Sequence, residues 1–477
     1  MSSGTDRKAS AGPAGLEAPS DVVERVLRAP GATSGIHGRM VVVEEGTEVE
    51  VRFANNTTTT NGLRRQRRVT VITVKAVEGG LAAGVASRSG SADVEELIAA
   101  SEADADQSPP ADDAGELVEA AASEDFDAPP ARTDLSALRS VLDDLTGALD
   151  IARSKGHVLY GFATHAVGTA YLGTSAGVRL RHEQPTGSLE LVARSRDGTR
   201  SAWAGRGTAR FEDVSLTSMH ETLQRRLQWA ERRIDLDAGR YETILPPDAT
   251  ADLMIFLYGD LSGRDAEDGR SVFSAPGGGT KLGQAIASTP FELRSDPAEP
   301  GLECAPFLVT TASGSDLSVF DNGLPLERTS WIRSGRLERL FYHRAGAERS
   351  GATVAPPVDN LVLEEPGASR TLDDMVTNTR RGLLLTCLWY IRTVDPVTAL
   401  LTGLTRDGVY LVENGEVVGA VNNFRFNESP VDLLQRATEA GASERAYSRE
   451  SGEWMNRTAM PALRIPDFNM SSVSPAT

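Results

Sequence analysis

Residues 380–428 constrain the fold more than any other stretch, because turn signals cut them into short apolar segments. Asp395-Pro396 interrupts a helix or strand, since proline donates no hydrogen bond and restricts the residue before it. Asp407-Gly408 is a second turn pair, and Asn414-Gly415 is typical of a two-residue β-hairpin turn. Between these turns lie four predicted strands, at 383–391, 399–404, 409–412 and 417–421. We therefore predict a β-meander here, without a residue pair that could carry chemistry.

The rest of the chain mixes helical and strand patterns. Apolar residues recur at helical spacing in 133–152, and a long charged helix is predicted at 217–236. Further helices are predicted at 21–27, 93–103, 116–122, 251–261 and 372–378. Predicted strands include 40–43, 48–53, 69–75 and four segments between 157 and 204. The fold class that these patterns predict is α+β.

Changes in composition suggest the domain boundaries. Residues 1–18 are predicted to be a flexible leader rich in Gly, Ala, Ser and Pro. An N-terminal α/β domain with a twisted sheet and helices is predicted at 19–205, and a C-terminal β-rich domain with a mainly antiparallel sheet at 206–437. Within the first domain, residues 89–131 contain thirteen acidic and no basic residues, which predicts a partly mobile segment. The tail, 438–477, is expected to add an edge strand at 461–466.

The charge balance excludes some partners. With 67 acidic against 49 basic residues, the net charge is −18, which argues against nucleic acid and anionic membrane surfaces. The first residues have no apolar core, so they are not a secretory signal, and the longest apolar run is about half of a membrane span. Two cysteines, Cys304 and Cys387, form no disulfide framework, and Cys387 is expected to be buried. We predict a cytoplasmic protein.

A family resemblance rests on long patterns. The run from Thr405 to Val418, TRDGVYLVENGEVV, resembles the C-terminal domain of the TldD/PmbA family of bacterial metalloproteases. The run from Ala54 to Gly62, ANNTTTTNG, is similar to the N-terminal domain of the TldE-type members, and the resemblance extends over about residues 54–428. It implies one of two kinds of subunit: a TldD-type chain with a His-Glu-x-x-x-His zinc helix, or a TldE/PmbA-type chain that lacks this helix and pairs with the first.

The metal ligands of the first kind of subunit are missing. Catalytic zinc needs three protein ligands and an open position for water. The six histidines are all more than four residues apart, and they are His37, His157, His165, His182, His220 and His343. The resemblance implies the zinc helix at 255–265 and a cysteine ligand near 402–405, yet neither region contains histidine or cysteine. We therefore predict no catalytic residue and no metal ligand in this chain.

Other motifs have ordinary explanations. His220 begins an incomplete His-Glu-x-x-His match, in which Gln224 stands at the position of the second histidine. A single histidine on a charged helix is typical of a surface or capping residue. The Gly-x-Ser-x-Gly match at 173–177 precedes a strand, so it predicts a hairpin turn and no nucleophile. The glycine-rich loop 277–283 lacks the spacing of a phosphate loop. The acidic pairs 364–365 and 373–374 suit a proline turn and a helix start.

The arginine cluster RRQRR, residues 64–68, is the one basic cluster in this acidic chain. It has no interleaved stacking aromatics, so we interpret it as a solvated strand end or as a contact for an acidic patch of a partner.

Three hypotheses remain. The first, implied by the resemblance, is a non-catalytic subunit of a zinc metalloprotease complex. Its TldD-type partner would hold the zinc, and the pair would cut short or unfolded peptides bound as an added strand. The second is a self-sufficient hydrolase whose ligands are histidines such as His157, His165 or His182, brought together by the sheet. The third is a non-enzymatic scaffold of the same fold. The sequence identifies no peptide-binding residue.

Overall fold

The computed structural model describes residues 16–31, 33–406 and 408–475. Most of the predicted leader and Asp407 of one predicted turn therefore lie outside the described residues. The helices are α1 (Pro19–Arg28), α2 (Val94–Gln107), α3 (Arg139–Ser154), α4 (Leu216–Trp229), α5 (Pro247–Gly259), α6 (Gly263–Glu267), α7 (Arg344–Ser350), α8 (Leu372–Thr377) and α9 (Pro430–Arg436).

The strands form three sheets. They are β1 (Ile36–Ala54), β2 (Thr57–Val77), β3 (Gly80–Ser89), β4 (His157–Thr174), β5 (Arg179–Ser195), β6 (Ser201–Thr208), β7 (Arg233–Ile234), β8 (Gly239–Leu245), β9 (Glu292–Ser295), β10 (Thr329–Arg333), β11 (Arg336–Leu337), β12 (Leu361–Glu364), β13 (Arg381–Leu385), β14 (Trp389–Asp395), β15 (Leu400–Leu404), β16 (Val409–Glu413), β17 (Glu416–Val421), β18 (Phe424–Glu428), β19 (Glu439–Ala440), β20 (Glu444–Ala446), β21 (Thr458–Met460) and β22 (Leu463–Val473). The predicted α+β class is confirmed.

The N-terminal sheet has six antiparallel strands in the order β3-β2-β1-β4-β5-β6. Its strands are long because Val- and Thr-rich runs continue through segments that the sequence pattern predicts as separate strands. The predicted strands 40–43 and 48–53 are both parts of β1, which has 19 residues. The arginine cluster 64–68 lies inside β2, so its interpretation as a strand end is wrong.

Helices cover one face of this sheet at both ends. Val22, Val23 and Val26 of α1 pack with Leu97 of α2 over the end of the sheet near Val41. Apolar residues of α3 and α4 cover the other end, near Val49 and Leu191. The helix predicted at 116–122 is not formed, and the helix predicted at 217–236 ends at Trp229.

Two further sheets form the C-terminal half. A ten-stranded sheet includes the order β14-β15-β18-β22-β8-β13-β16-β17-β7, and a six-stranded sheet has the order β11-β10-β9-β12-β21-β20. The predicted meander is wrong, because β15 and β16 are not neighbours: β18, β22, β8 and β13 lie between them. The predicted strand 383–391 is two strands, β13 and β14, with a break after Leu385.

The C-terminal tail contributes to both of these sheets. β22 pairs with β18 on one side and with β8 on the other. The predicted edge strand at 461–466 is therefore wrong, since this segment begins a strand in the interior of the sheet. Phe307 packs on Val42 and Leu172, and Phe320 packs on Met40, so the two halves share apolar contacts.

Candidate functional site

Helix α5 occupies the region where the resemblance implies a zinc helix. Pro247 starts it, because the first helical position needs no N–H donor, and Asp248 suits the positive end of the helix dipole. Ile255 is 1% exposed and packs in the main apolar core. The Tyr258 hydroxyl donates a hydrogen bond to Val358 O at 2.7 Å, and its ring lies 4.9 Å from that of Phe341. This face of the helix is apolar core and offers no metal ligand.

The region implied to hold a cysteine ligand contains threonines that bond within the sheet. Thr405 is fully buried, and its hydroxyl accepts a hydrogen bond from Phe424 N at 2.9 Å. The Thr402 hydroxyl donates to Phe426 O at 3.1 Å. Both side chains therefore satisfy strand backbone at the β15–β18 pair.

The six histidines are dispersed and have local partners or buried settings. His165 Nδ1 lies 2.6 Å from the Thr133 hydroxyl, and His343 Nδ1 accepts from Gly346 N at the start of α7. On the sheet His182 faces Ala170, which is five residues along β4 from His165, or about 16 Å at strand spacing. The three histidines of the second hypothesis are therefore not brought together. Within the described residues, no three His, Cys, Asp or Glu side chains are grouped so that they could hold a metal ion.

His220 differs from its expected surface position, since it is only 2% exposed. Its ring contacts the side-chain amide of Gln224, the residue one helical turn later. Burial lowers the pKa of His220, and the nearby His157 and Lys155 lower it further. The imidazole is therefore a buried neutral group on the inner face of α4.

The other sequence motifs are structural. Ser175 lies in the turn between β4 and β5, where its hydroxyl accepts a hydrogen bond from Arg39 N, so the predicted hairpin turn is confirmed. The acidic pair 373–374 lies in the first turn of α8, as predicted, and Thr371 and Asp374 form a capping box there. Glu364 forms an ion pair with Arg294. Lys281 of the glycine-rich loop donates to Val272 O.

Two carboxylates project from α5 one helical turn apart, toward the segment 444–451. Asp252 is 1% exposed, and its Oδ1 accepts hydrogen bonds from Ser448 Oγ at 2.6 Å and from Glu450 N at 3.1 Å. Burial raises the pKa of Asp252 to about 7, and the charges of Asp248 and Glu450 add to this rise. Asp248 accepts a hydrogen bond from Tyr447 N at 2.9 Å, and burial raises its pKa also.

The segment 444–451 joins the two halves of the molecule. The ring of Tyr447 stacks on Trp203 of β6 with a centroid distance of 6.3 Å, and its hydroxyl lies 3.1 Å from Glu190 Oε1. The guanidinium of Arg449 lies between Trp203 and Trp389, 5.4 and 4.9 Å from their ring centres. Because Asp252 is enclosed beneath this segment, its carboxyl keeps a proton to a higher pH than an exposed aspartate does. Its role is to attach the segment to α5.

Two cavities flank the arginine-rich part of β2. One of about 600 Å³ is lined by Arg65, Arg67 and the segment 127–132. The other, of about 800 Å³, lies between the sheet and the C-terminal half and is lined by Gln66 and Arg68 together with residues such as His182 and Asp359. These are the concave surfaces nearest the only arginine cluster that the sequence singled out.

Sequence reasoning missed two residues of these sites. Asp252 is a charged residue inside the apolar run ADLMIFL, which is a readable signal of a buried carboxylate. Exposed and buried residues alternate along β2 from Gln66 to Val69. Arg67 is on the buried side, and its 7% exposure sets it apart from the exposed arginines beside it. In both cases the partners come from distant parts of the chain.

Comparison with known proteins identifies the C-terminal half. Residues 238–472 match the model of the PmbA/TldA metallopeptidase C-terminal domain. The match therefore covers about half of the chain, from the start of β8 into β22. The matched residues include α5, the segment 444–451 and nearly all of the two C-terminal sheets. No curated protein sequence matches the chain.

Solved structures share the fold of nearly the whole chain. TldE from Thermococcus kodakarensis has a TM-score of 0.74 at 18% identity, over 91% of this chain and 96% of that one. A protein of Thermotoga maritima, described as a candidate modulator of a DNA gyrase, has a TM-score of 0.72 at 15% identity, over 91% and 95%. A protein of Bacteroides thetaiotaomicron with a similar description has a TM-score of 0.71 at 15% identity, over 95% and 98%. At these identities the likeness concerns the fold.

Among the residues that the structure describes, no helix is long and apolar enough to cross a membrane.

Proposed function

We propose that the chain is the non-catalytic subunit of a two-component zinc metallopeptidase of the TldD/TldE kind, which degrades or processes short or unfolded peptides. The observation that carries the proposal is a metallopeptidase-family C-terminal domain in which residues 255–265 contain no histidine. The partner is a TldD-type chain that supplies the zinc and its ligands.

The packing of α5 supports a non-catalytic role. A catalytic zinc helix must direct its ligands toward a space that holds water and substrate. Here Ile255 and Leu257 are buried in the apolar core. One substitution would not create a site at this position, because the surrounding volume is filled by aromatic and aliphatic side chains.

The cysteines support a reducing compartment. Cys304 and Cys387 are both buried, and neither is in a disulfide. Burial raises the pKa of the Cys304 thiol to about 11, which keeps it protonated and unreactive at neutral pH. Buried cysteines outside any disulfide suit the cytoplasm, where we propose that the complex works.

The proposal is tested by activity and by assembly. The purified chain, supplied with zinc, is expected to leave an unfolded casein substrate intact. Mixed with a TldD-type chain from the same cells, it should form a stoichiometric complex by native mass spectrometry, and this complex should hydrolyse the substrate. Hydrolysis by the chain alone would reject the proposal. Failure to associate with any such chain would favour a scaffold protein of the same fold.

A further inference from the structure

The outer edge of β2 is open along half of its length. β3 pairs with β2 from Val77 as far as Arg68, and Gly90 N then donates to Arg67 O at 2.9 Å. In the described part of the chain, residues 57–66 pair with β1 on one side and have no strand on the other. These residues are exposed except Gly62, which is half-buried. Such an edge presents backbone N–H and C=O groups to which an extended chain can bind.

The run 64–68 is basic in an acidic chain, and on the paired strand β1 three glutamates lie opposite its arginines: Glu44, Glu45 and Glu48 face Arg68, Arg67 and Arg64. Four of the five residues from 64 to 68 are arginines, in a protein of net charge −18. Arg64 lies 3.0 Å from Glu48, and Arg67 lies 3.4 Å from Glu45. Arg65 and Arg68 have no ion pair among the described residues. Exposed arginines alone would be explained as charges that protect an edge from aggregation. The argument for a binding site therefore depends on the buried arginine, Arg67.

Arg67 is 7% exposed, yet its guanidinium is only partly satisfied. Its Nη1 donates to Glu17 O at 2.8 Å. Its Nη2 is buried and has no hydrogen-bond acceptor among the described residues. Leaving a buried charged donor without an acceptor is unfavourable, and one carboxylate oxygen bound at Nη2 would remove the deficit. Arg67 lines the 600 Å³ cavity, so a ligand there would lie beside it.

The two cavities lie beside residues 65–67 of β2 and Gly90, where the pairing with β3 ends and the open edge begins. Successive side chains of a strand point to opposite faces of a sheet. A strand added beside 57–66 would therefore direct alternate side chains toward the two cavities. Arg65, Gln66 and Arg67 line both cavities, and Arg68 lines only the larger one. In the second cavity Gly46 pairs with Gly168, and a Cβ at Gly168 would meet nothing within 4 Å, so its floor has room for a side chain.

We propose that the open edge of β2 binds an extended peptide segment with acidic side chains as an added antiparallel strand, held by Arg65, Arg67 and Arg68. Main-chain hydrogen bonds along 57–66 give affinity for any extended chain, and the arginines select carboxylates. This inference names the substrate class of the proposed function and rests on it for its biological role. The binding itself needs no catalytic partner.

The first test uses the full-length chain and a synthetic peptide of alternating Glu and Val, labelled with fluorescein and followed by fluorescence anisotropy. We expect saturable binding that weakens as salt is raised, and about tenfold weaker binding of the Lys-Val counterpart. Two further peptides are N-methylated at alternate residues, in opposite phases. One phase removes the N–H groups that face β2 and should abolish binding, while the other phase should retain it. Equal binding of the two phases would overturn strand addition.

The second test compares two charge reversals on exposed arginines. Arg65→Glu and Arg380→Glu change the net charge equally, but Arg380 lies in the turn before β13, in the other half of the chain. We expect Arg65→Glu to weaken binding about tenfold and Arg380→Glu to change it less than about twofold. Equal effects would reject the arginine site. Arg68→Glu provides a second variant of the site, should Arg65→Glu fail to fold.

The outcomes separate this inference from the proposed function. If the chain alone hydrolyses casein but still binds the acidic peptide through β2, the proposed function fails and the binding site stands. If the complex with a TldD-type chain is active but the two N-methylated phases bind equally, the site fails and the proposed function stands.

Discussion

Asp252 offers the sharpest test of the packing around α5. Replacement by Asn keeps an oxygen that can accept hydrogen bonds from Ser448 Oγ and Glu450 N, and it removes a buried titrating group. The substitution is nearly isosteric, so it should not open a cavity. Its effect on stability should therefore depend on pH in a way that follows from the pKa of one carboxyl.

The sign follows from proton binding. The pKa of Asp252 is about 7 in the folded protein, against an ordinary value of 3.8. Between these values the folded state keeps a proton that the unfolded state has released, so stability falls as pH rises. The contribution is fully present below about pH 4 and is lost as pH approaches 7. Each pH unit in this window is worth about 1.4 kcal/mol, and the step from pH 5 to 7 about 2 kcal/mol.

The assay is urea unfolding of the wild-type chain and Asp252→Asn at pH 5, 6, 7 and 8. The free energy of unfolding of the wild type minus that of the variant should fall by about 2 kcal/mol from pH 5 to 7 and level off above. Asp143→Asn, at an exposed position of α3, is the matched control and should show no such trend. A difference that stays constant with pH for Asp252→Asn would refute the reasoning.

Three other perturbations follow from the packing. Ile255→Ala should destabilise the protein by about 2–4 kcal/mol in urea unfolding, because it opens a cavity in the main core; a loss below about 1 kcal/mol would show that α5 is loosely packed. Gly415→Ala should cost about 1–3 kcal/mol, since φ is +85° and the new Cβ would lie 2.5 Å from Thr377 O; an unchanged urea midpoint would contradict the hairpin geometry. Burial lowers the pKa of His220 below its ordinary 6.5, so the unfolded state gains the proton first as pH falls. Wild-type stability relative to His220→Gln should therefore decrease from pH 7.5 to 5.5, and a flat difference would place the imidazole in solvent.

Local signals in the sequence predicted local structure well. Asn414 and Gly415 have φ values of 52° and 85°, as a turn with two left-handed residues requires, and they join β16 to β17 as predicted. The helix predicted at 372–378 is formed at 372–377, and its acidic pair lies in the first turn, as predicted. Strand neighbours were not readable, because hairpin signals say nothing about which distant strand pairs on the other side. β13 pairs with β8, about 140 residues earlier, and this pairing makes the meander wrong.

The candidate sites also combine features that the sequence shows directly with features that only the fold shows. The lack of histidine in 255–265 could be read directly, since it depends on residue type alone. The burial that raises the pKa of Asp252 could not, because the segment that covers this residue lies about 196 residues away in the sequence, at Ser448. The hydrogen bonding and burial of Arg67 depend on Glu17, 50 residues before it, and on the point at which β3 ends. Composition identified the basic cluster, but only the fold shows which arginine is buried.

The measurement that tests the central claim most directly is the zinc content and peptidase activity of each purified chain and of their complex. The account predicts that this chain alone retains no stoichiometric zinc and cuts no unfolded peptide. It predicts that the complex with a TldD-type chain carries zinc on the other subunit and is active. One zinc bound per chain by this subunit alone, with hydrolysis of unfolded peptides, would contradict it.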